Sequence, residues 1–362
     1  MNFYIHVPFC VKKCNYCAFY SVCDAPDWEN YTRGVCEQLD YFKGLGTRDQ
    51  GPDTIFFGGG TPSLMPVKYA AQIIEKIGAK NPAEFTIEAN PKTLNASKLK
   101  DWKDLGLTRL SVGMQSFDDE ELQFLGRIHS AADACALIDA GLDSGLRVSA
   151  DFIYGLPGQS AAAAVRLCEN INVLGIEHAS LYELTIEKGT PFAGMKPPTE
   201  SIGAEMYRTI QSALRLPRYE VSNYGEPCLH NSAIWAGEQY IGVGESAAGR
   251  VRDSDGWLET KIVGGCVVAN RLTNAERATE IIMTGLRTMR GVALCAVFPS
   301  FGGVPPEGRL GGASSGSCAI PLHINWPFIN SHPEYFIAAA DSLRMTESGL
   351  LLLDGLMGDV IL

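Results

Sequence analysis

Phe3-Tyr4-Ile5-His6-Val7-Pro8-Phe9-Cys10-Val11-Lys12-Lys13-Cys14-Asn15-Tyr16-Cys17 runs a short apolar strand into a loop that carries three cysteines. The spacing C-x3-C-x2-C sets three thiolates on one loop, enough for three corners of an iron–sulfur cubane. One iron would then lack a protein ligand and stay open to a chelating cofactor. Lys12 and Lys13 add positive charge beside an anionic cluster. Structural zinc needs four ligands, and a fourth would have to come from Cys23 or His6. The three-residue first gap also departs from the usual zinc loop.

From that first strand outward, apolar runs alternate with amphipathic stretches over the first two hundred residues. Strands are predicted at Phe3–Val7, Thr54–Phe57, Phe85–Ala89, Arg109–Val112, Arg147–Ile153 and Ala179–Leu184. Helical patterns fall at Lys68–Ile77, Asn95–Leu105, Glu120–Leu125 and Ala131–Ala140. This rhythm predicts an α/β fold of parallel βα units, a partial barrel of six. Polar and glycine residues follow each strand: the cysteines, then Gly58-Gly59-Gly60-Thr61-Pro62, Glu88-Ala89-Asn90-Pro91, Gln115-Ser116-Phe117 and Asp151. In a βα barrel the C-terminal strand ends share one face, so these groups are expected to converge.

Missing side chains at Gly58–Gly60 let a ligand approach the backbone closely. The run lacks the spacing of a dinucleotide fingerprint and the lysine of a phosphate loop. Glu88, Gln115, Arg127 and Asp151 suit the hydroxyls, amine and carboxylate of a nucleoside-like ligand, and Arg127 can pair with a carboxylate.

Past Pro191 the alternation stops, and Pro197-Pro198 marks a joint. Helices are expected over Ile202–Leu214 and Ala275–Leu286, with a polar, aromatic segment and the glycine-rich turn Gly242–Gly249 between them. The tail from Leu343 to Leu350 reads as a strand turning into a short helix. Residues 1–195 are expected to form the barrel and 196–297 a C-terminal region. A Gly/Pro/Ser-rich insertion or loop is expected at 298–330, and a small winged-helix-like element at 331–362.

The net charge of −11 disfavours nucleic acid and anionic lipid as partners. No apolar segment is long enough to span a bilayer. Eleven cysteines without an export signal point to reduced thiols and a cytoplasmic protein.

With these residues in view, the chain resembles the radical S-adenosylmethionine family of oxygen-independent coproporphyrinogen III oxidase and its relatives. The likeness lies in Tyr4-Ile5-His6-Val7-Pro8-Phe9-Cys10, the glycine loop, Thr86-Ile87-Glu88-Ala89-Asn90-Pro91 and Ser111-Val112-Gly113-Met114-Gln115-Ser116-Phe117. It continues in Leu125-Gly126-Arg127-Ile128-His129, Asp151-Phe152-Ile153-Tyr154-Gly155-Leu156-Pro157-Gly158-Gln159, Tyr219-Glu220-Val221-Ser222-Asn223-Tyr224 and Ala278-Thr279-Glu280. Within that family the match is to the HemW-type heme chaperones. The oxidase carries a fourth cysteine where this chain has Phe19, and a long segment ahead of its cysteines where this chain has nine residues.

The resemblance implies a radical SAM barrel with a small α+β cap, a [4Fe-4S] cluster on Cys10, Cys14 and Cys17, and bound S-adenosylmethionine. It implies that Tyr4, Gly59 and Glu88 touch the cluster-bound cofactor. Tyr16, Gly60, Thr61, Gln115, Arg127 and Asp151 match positions that hold a second cofactor molecule in the oxidase. It further implies heme binding, delivery of heme to a respiratory client, and an electron donor. Radical chemistry is expected, and dehydrogenation of coproporphyrinogen III is not. The family's heme motif, His-Asn-x-x-Tyr with a cysteine upstream, reads here Cys228-Leu229-His230-Asn231-Ser232-Ala233-Ile234, so Ile234 replaces the tyrosine. Ala248 stands where the family commonly has histidine. His230 and Cys228 are the heme candidates, with His6 and His129 next. The alternatives are a radical SAM enzyme acting on a tetrapyrrole, and an iron–sulfur module without cofactor turnover.

Overall fold

The computed structural model describes residues 1–45, 53–79, 81–293, 324–339 and 342–361. Six parallel strands pair in chain order: β1 (Asn2–Val7), β2 (Thr54–Gly59), β3 (Glu84–Ala89), β4 (Arg109–Gln115), β5 (Arg147–Tyr154) and β6 (His178–Glu183). Between them run α1 (Trp28–Gly44), α2 (Val67–Ile77), α3 (Ala96–Asp104), α4 (Asp119–Phe124), α5 (Ala131–Asp143) and, before β6, α6 (Ala161–Ile171). Every predicted strand is present, each displaced or extended by a few residues at most. Helices α1 and α6 were not anticipated.

These strands alternate, with Phe56 and Ile153 as apolar exceptions on the second face. One set, including Phe3, Ile5, Val7, Ile55, Phe57, Phe85, Ile87, Leu110, Val112, Val148, Ala150, Ala179 and Leu181, belongs to the main apolar core. Trp102 of α3 sits there, fully buried, edge-on to Phe57 and Phe85 at 5.7 and 6.1 Å. Truncating it to alanine would cost about 3–5 kcal/mol. The alternate set is polar: Asn2, Tyr4, His6, Thr54, Glu84, Thr86, Glu88, Arg109, Ser111, Ser149, Asp151, His178 and Ser180. Members bond one another across strands, as Ser111 to Asp151 and Ser149 to His178 do. Parallel sheets covered on both faces are usually apolar on both. Here one face is apolar under helices and the other encloses polar groups.

After α7 (Glu200–Ala213), β7 (Asn223–Gly225) pairs antiparallel with β6. The chain then crosses through α8 (Leu229–Trp235) to β8 (Tyr240–Val243), which pairs parallel with β1. An antiparallel meander follows, β9 (Ala248–Asp253), β10 (Gly256–Val263) and β11 (Cys266–Leu272). The strand order is β11-β10-β9-β8-β1-β2-β3-β4-β5-β6-β7. The predicted glycine-rich turn is present at 244–247, flanked on each side by strand residues of β8 and β9, and the region after the joint extends the barrel sheet.

Helix α9 (Asn274–Gly285) opens with a Thr273/Glu276 capping box. It shares a second core with β12 (Val292–Ala293), α10 (Trp326–Ser331), β13 (Phe336–Ala338), β14 (Ser342–Met345), α11 (Glu347–Leu351) and α12 (Leu353–Val360). The three strands form their own sheet, β12-β14-β13. The expected insertion at 298–330 lies for the most part outside the described residues. Among those described, no helix is long and apolar enough to cross a membrane.

Candidate functional site

The cysteine loop leaves β1 and is held at both ends. Cys10 N–H donates to the Val22 carbonyl at 2.9 Å, and Val22 N–H to Pro8 at 2.8 Å. Phe9 packs edge-on against Trp28 and Tyr31 of α1, at 4.9 and 5.6 Å. In mid-loop, Asn15 donates its backbone N–H to Leu125 O at 3.0 Å and its amide to Phe124 O at 2.8 Å. Asn15 thus satisfies carbonyls at the open end of α4. Gly126, at φ +78°, makes room, since a Cβ there would lie 2.9 Å from the Asn15 carboxamide.

Between these anchors the three thiols are half-buried. Thr61 Oγ1 donates to Cys10 Sγ at 3.6 Å, and Arg127 Nη1 to Cys14 Sγ at 3.2 Å. Burial, reinforced by the neighbouring thiols, pushes Cys10 and Cys17 above the ordinary thiol range. A multiply charged iron cluster reverses that preference by holding all three as thiolates. A cubane spreads its ligands over separate irons. Among the described residues no three His, Cys, Asp or Glu side chains are arranged around a single ion. His6 is already engaged: Nε2 donates to the Tyr20 carbonyl at 2.9 Å, so Nδ1 accepts from Tyr4 O–H at 3.0 Å. Cys23 is exposed. The donor set fits an iron–sulfur cluster with three protein ligands.

The glycine run lies directly beside this loop. Gly59 adopts φ +109°, and a Cβ there would strike the His6 ring at 2.6 Å. At Gly60 a Cβ would meet Pro8 and Phe9 backbone at 2.8–2.9 Å. The glycines are therefore required by the cysteine loop as well as by any ligand. Gly59 N–H donates to Glu88 Oε2 at 3.0 Å. Burial, and then Asp151, push the Glu88 carboxyl up to about 8. Asp151 is likewise raised by burial, against hydrogen bonds from Ser180 and Ser111, the latter at 3.1 Å.

Gln115 takes φ +70° at a bulge in β4. Its amide and the Arg127 guanidinium flank Gly113, where a Cβ would lie 3.0–3.1 Å from both. Arg127 Nη2 also donates to the Gly113 carbonyl at 2.9 Å, while its Nε has no partner. Burial raises Tyr16 and Tyr4 well above the ordinary phenol range, with Arg127 opposing the rise at Tyr16. Contacts thus link Tyr4, Gly59, Glu88 and Asp151 on one side, and Tyr16, Gln115, Arg127, Thr61 and the cysteines on the other. His129 lies behind them, bonded through Nε2 to Met114 O at 3.2 Å and lowered to about 4 by burial and Arg127.

The heme candidates sit elsewhere, at the opposite strand ends. His230 and Cys228 are both 1% exposed. His230 Nδ1 lies 2.8 Å from Thr54 Oγ1, and burial with Arg109 lowers its pKa to about 3. Glu84, which the sequence reading passed over, accepts from Leu229 N–H at 3.1 Å, His230 N–H at 3.2 Å and the Cys228 thiol at 3.3 Å. Arg147 Nη1 faces the same carboxylate at 3.1 Å. His178 accepts from Ser149 and Arg109 on Nδ1 and donates from Nε2 to Tyr219 at 2.9 Å. The signal for the strand residues among these, Glu84, Arg109, Arg147, Ser149 and His178, was the polar alternation inside the strands. Two surface cavities of about 430 Å³ lie away from the cysteines, against α6 and α5.

Residues 4–171 match the family model described as the radical SAM superfamily. The chain is 36% identical to the heme chaperone HemW of Escherichia coli over 278 residues, 71% of each chain. It is 30% identical to HemW of Haemophilus influenzae, over 99% of this chain and 97% of that one. It is 34% identical to the mitochondrial radical S-adenosyl methionine domain-containing protein 1 of Bos taurus, over 80% of this chain and 73% of the relative. Among solved structures, coproporphyrinogen III oxidase (HemN) of Escherichia coli superposes with a TM-score of 0.75 at 15% identity, covering 99% of this chain and 89% of the oxidase.

Proposed function

The chain belongs to the HemW-type branch of the radical SAM superfamily, and from that premise we propose that it is a heme-handling protein of the cytoplasm. It binds a [4Fe-4S] cluster, S-adenosylmethionine and heme, and passes heme to a respiratory client. The observation that carries this reading is the cysteine loop, whose three thiols stand beside the Gly59–Glu88 cradle, Cys10 receiving a donor from Thr61 and Cys14 one from Arg127.

Cys10, Cys14 and Cys17 hold the cluster. Tyr4, Tyr16, Gly59, Gly60, Thr61, Glu88, Gln115, Arg127 and Asp151 surround the cofactor. When bound, the cluster supplies one electron to the sulfonium of S-adenosylmethionine, taken from an electron donor. Arg127 and Thr61 hold negative charge on the sulfurs. Glu88 keeps its proton near neutral pH, so it can donate to a ligand oxygen while accepting from Gly59. Residues 1–195 serve as the barrel domain, β7–β11 extend its sheet, and the small core of α9, β12–β14 and α10–α12 serves as the cap.

His230 and Cys228 are the proposed heme ligands. Both are enclosed, so a macrocycle reaches them only when α8 lifts from the barrel floor. The likeness to the oxidase favours a second reading, a radical enzyme acting on a tetrapyrrole. Against it stands Phe19, 70% exposed, in the place of that enzyme's fourth cysteine.

Anaerobically reconstituted protein, titrated with hemin and then extracted, separates the two readings. Recovery of intact heme, with no protoporphyrinogen formed from coproporphyrinogen III, supports the chaperone. Multiple-turnover porphyrinogen conversion would establish the enzyme instead.

A further inference from the structure

Phe9 and Val22 form a parallel β-bridge at the root of the cysteine loop. It is closed by Cys10 N–H to Val22 O at 2.9 Å and Val22 N–H to Pro8 O at 2.8 Å. Side chains alternate along extended chain, so Cys10 and Cys23, each one residue on, share the face opposite to Phe9 and Val22. Paired chains lie about 4.8 Å apart. A disulfide spans Cα separations of about 4.4–6.8 Å. The surroundings of Cys10 agree with that placement. Burial raises its thiol, hydrogen bonds from Thr61 and Ser21 oppose the rise, and Cys14 and Cys23 add to it. Ser21 and Cys23 flank Val22 and so fall on one face. Cys14 is held elsewhere, its sulfur accepting from Arg127 Nη1 at 3.2 Å. Cys23 is exposed, Cys10 is half-buried, and both are free thiols.

We propose that Cys23 is a resolving thiol for Cys10: before the cluster is assembled, a small disulfide such as oxidised glutathione drives the two into a reversible Cys10–Cys23 disulfide that withholds one cluster ligand. This rests on the reading of Cys10 as a cluster ligand. The exposed Cys23 thiolate attacks one sulfur of the small disulfide, whose S–S bond breaks and expels one small thiolate. The Cys10 thiolate then attacks Cys23 Sγ, which forms the protein S–S bond and expels the second. The two cysteines lose two electrons and two protons in all, and the small disulfide takes them up as two thiols. Transient cytosolic disulfides are usually catalytic or redox-sensing, and a sensitive cysteine often stands next to its resolving partner. As a disulfide, Cys10 is spared irreversible oxidation to sulfinic acid. Once iron holds the Cys10 sulfur, the exchange stops at Cys23.

The test uses full-length protein stripped of iron anaerobically, treated with oxidised glutathione, alkylated and digested with trypsin. Cleavage at Lys12 and Lys13 separates Cys10 from Cys14, Cys17 and Cys23. A disulfide on Cys10 therefore survives as a linked peptide pair, and fragmentation spectra locate its partner. Wild type should show Cys10 joined to Cys23, and Cys23→Ser should lose free Cys10 several-fold more slowly. Iron and sulfide should enter the oxidised wild type only after dithiothreitol, whereas protein already loaded with cluster should take glutathione at Cys23 without the cross-link. Three results overturn the proposal: Cys10 joined to Cys14 or Cys17 instead, a lasting glutathione adduct on Cys23 of the iron-free protein, or equal loss of free Cys10 in Cys23→Ser and wild type. If the Cys10–Cys23 disulfide forms yet iron loads without reduction, the ligand reading of Cys10 falls and the disulfide assignment stands.

Discussion

Arg127 donates from Nη1 to the Cys14 sulfur at 3.2 Å across 113 residues of sequence, while Nη2 holds the Gly113 carbonyl at 2.9 Å. One side chain thus ties the cysteine loop to the end of β4. Hydrogen bonds and positive charge at ligand sulfurs favour the reduced, more negative cluster. Arg127→Met keeps much of the volume and removes both donors and charge. Its cluster should form, with a reduction potential more negative than wild type by redox titration followed with EPR. An unchanged potential would show that the contact is incidental to the cluster.

The cysteine assignment predicts a sharp division among thiols. Cys10→Ala, Cys14→Ala and Cys17→Ala should each lose the broad visible absorbance, while wild type reconstitutes with about four irons per chain. Exposed Cys23 and Cys266, half-buried Cys36 and Cys135, and buried Cys168 should be dispensable for iron. Cys295 and Cys318, outside the described residues, are expected to be dispensable too. Zinc without iron or sulfide after anaerobic reconstitution would end the cluster assignment.

Gly60 separates two roles that the sequence alone could not. A methyl group there meets Pro8 and Phe9 backbone at 2.8–2.9 Å, immediately before Cys10. Backbone cannot swing aside as a long side chain can. Gly60→Ala should therefore lower the iron content as well as cofactor affinity. Glu88→Ala, which leaves the loop backbone alone, should retain iron and weaken S-adenosylmethionine binding. Normal iron in Gly60→Ala would mean that the loop can shift to accept the methyl.

The barrel strands were legible because Phe3–Val7, Thr54–Phe57 and Phe85–Ala89 are apolar runs bounded by turn residues. The strand-end site was legible because glycine and polar residues follow each run. The helix α1 was missed because its buried stripe holds only Val35, Leu39 and Phe42 as large apolar residues, beside polar Thr32 and Gln38, and is diluted by Glu29, Arg33, Glu37 and Asp40. The meander β8–β11 was missed because Gly242, Gly244 and Gly249 read as a turn. A Cβ at Gly249 would meet the Tyr240 carbonyl at 3.0 Å, a tertiary requirement with no local signature. Glu84 escaped for the same reason, since its partners are fixed only when α8 folds beneath the barrel.

Glu88 gives the apoprotein a specific pH response. Its carboxyl is raised to about 8 in the fold, first by burial and then by Asp151. The folded chain therefore keeps a proton that the unfolded chain releases near its ordinary value. The associated stability is full below the unfolded pKa and is lost as pH rises through the folded one. Between about pH 5 and about pH 8, wild type should lose up to roughly 1.4 kcal/mol per pH unit relative to Glu88→Gln. Denaturant unfolding of both proteins at several pH values checks this. Parallel pH profiles would show that Glu88 is not the group responsible.

Glu84 and Arg147 together hold the entry to α8. The Glu84 carboxylate accepts from Leu229, His230 and Cys228, and Arg147 reaches the Glu226 and Pro227 carbonyls, both at 3.3 Å. The buried carboxylate at the start of a helix also suits the positive end of its dipole. Removing it by Glu84→Ala leaves those donors unanswered and Arg147 without its buried partner, at a cost of about 3 kcal/mol. Burial, reinforced by Glu84, keeps the Cys228 thiol at about 11. The variant should therefore unfold at lower denaturant, and Cys228 should react faster with a thiol reagent. If heme reaches His230 by lifting α8, hemin should also associate several-fold faster with Glu84→Ala than with wild type in stopped-flow mixing. A looser, thiol-reactive variant with unchanged hemin association would show that heme enters by another route.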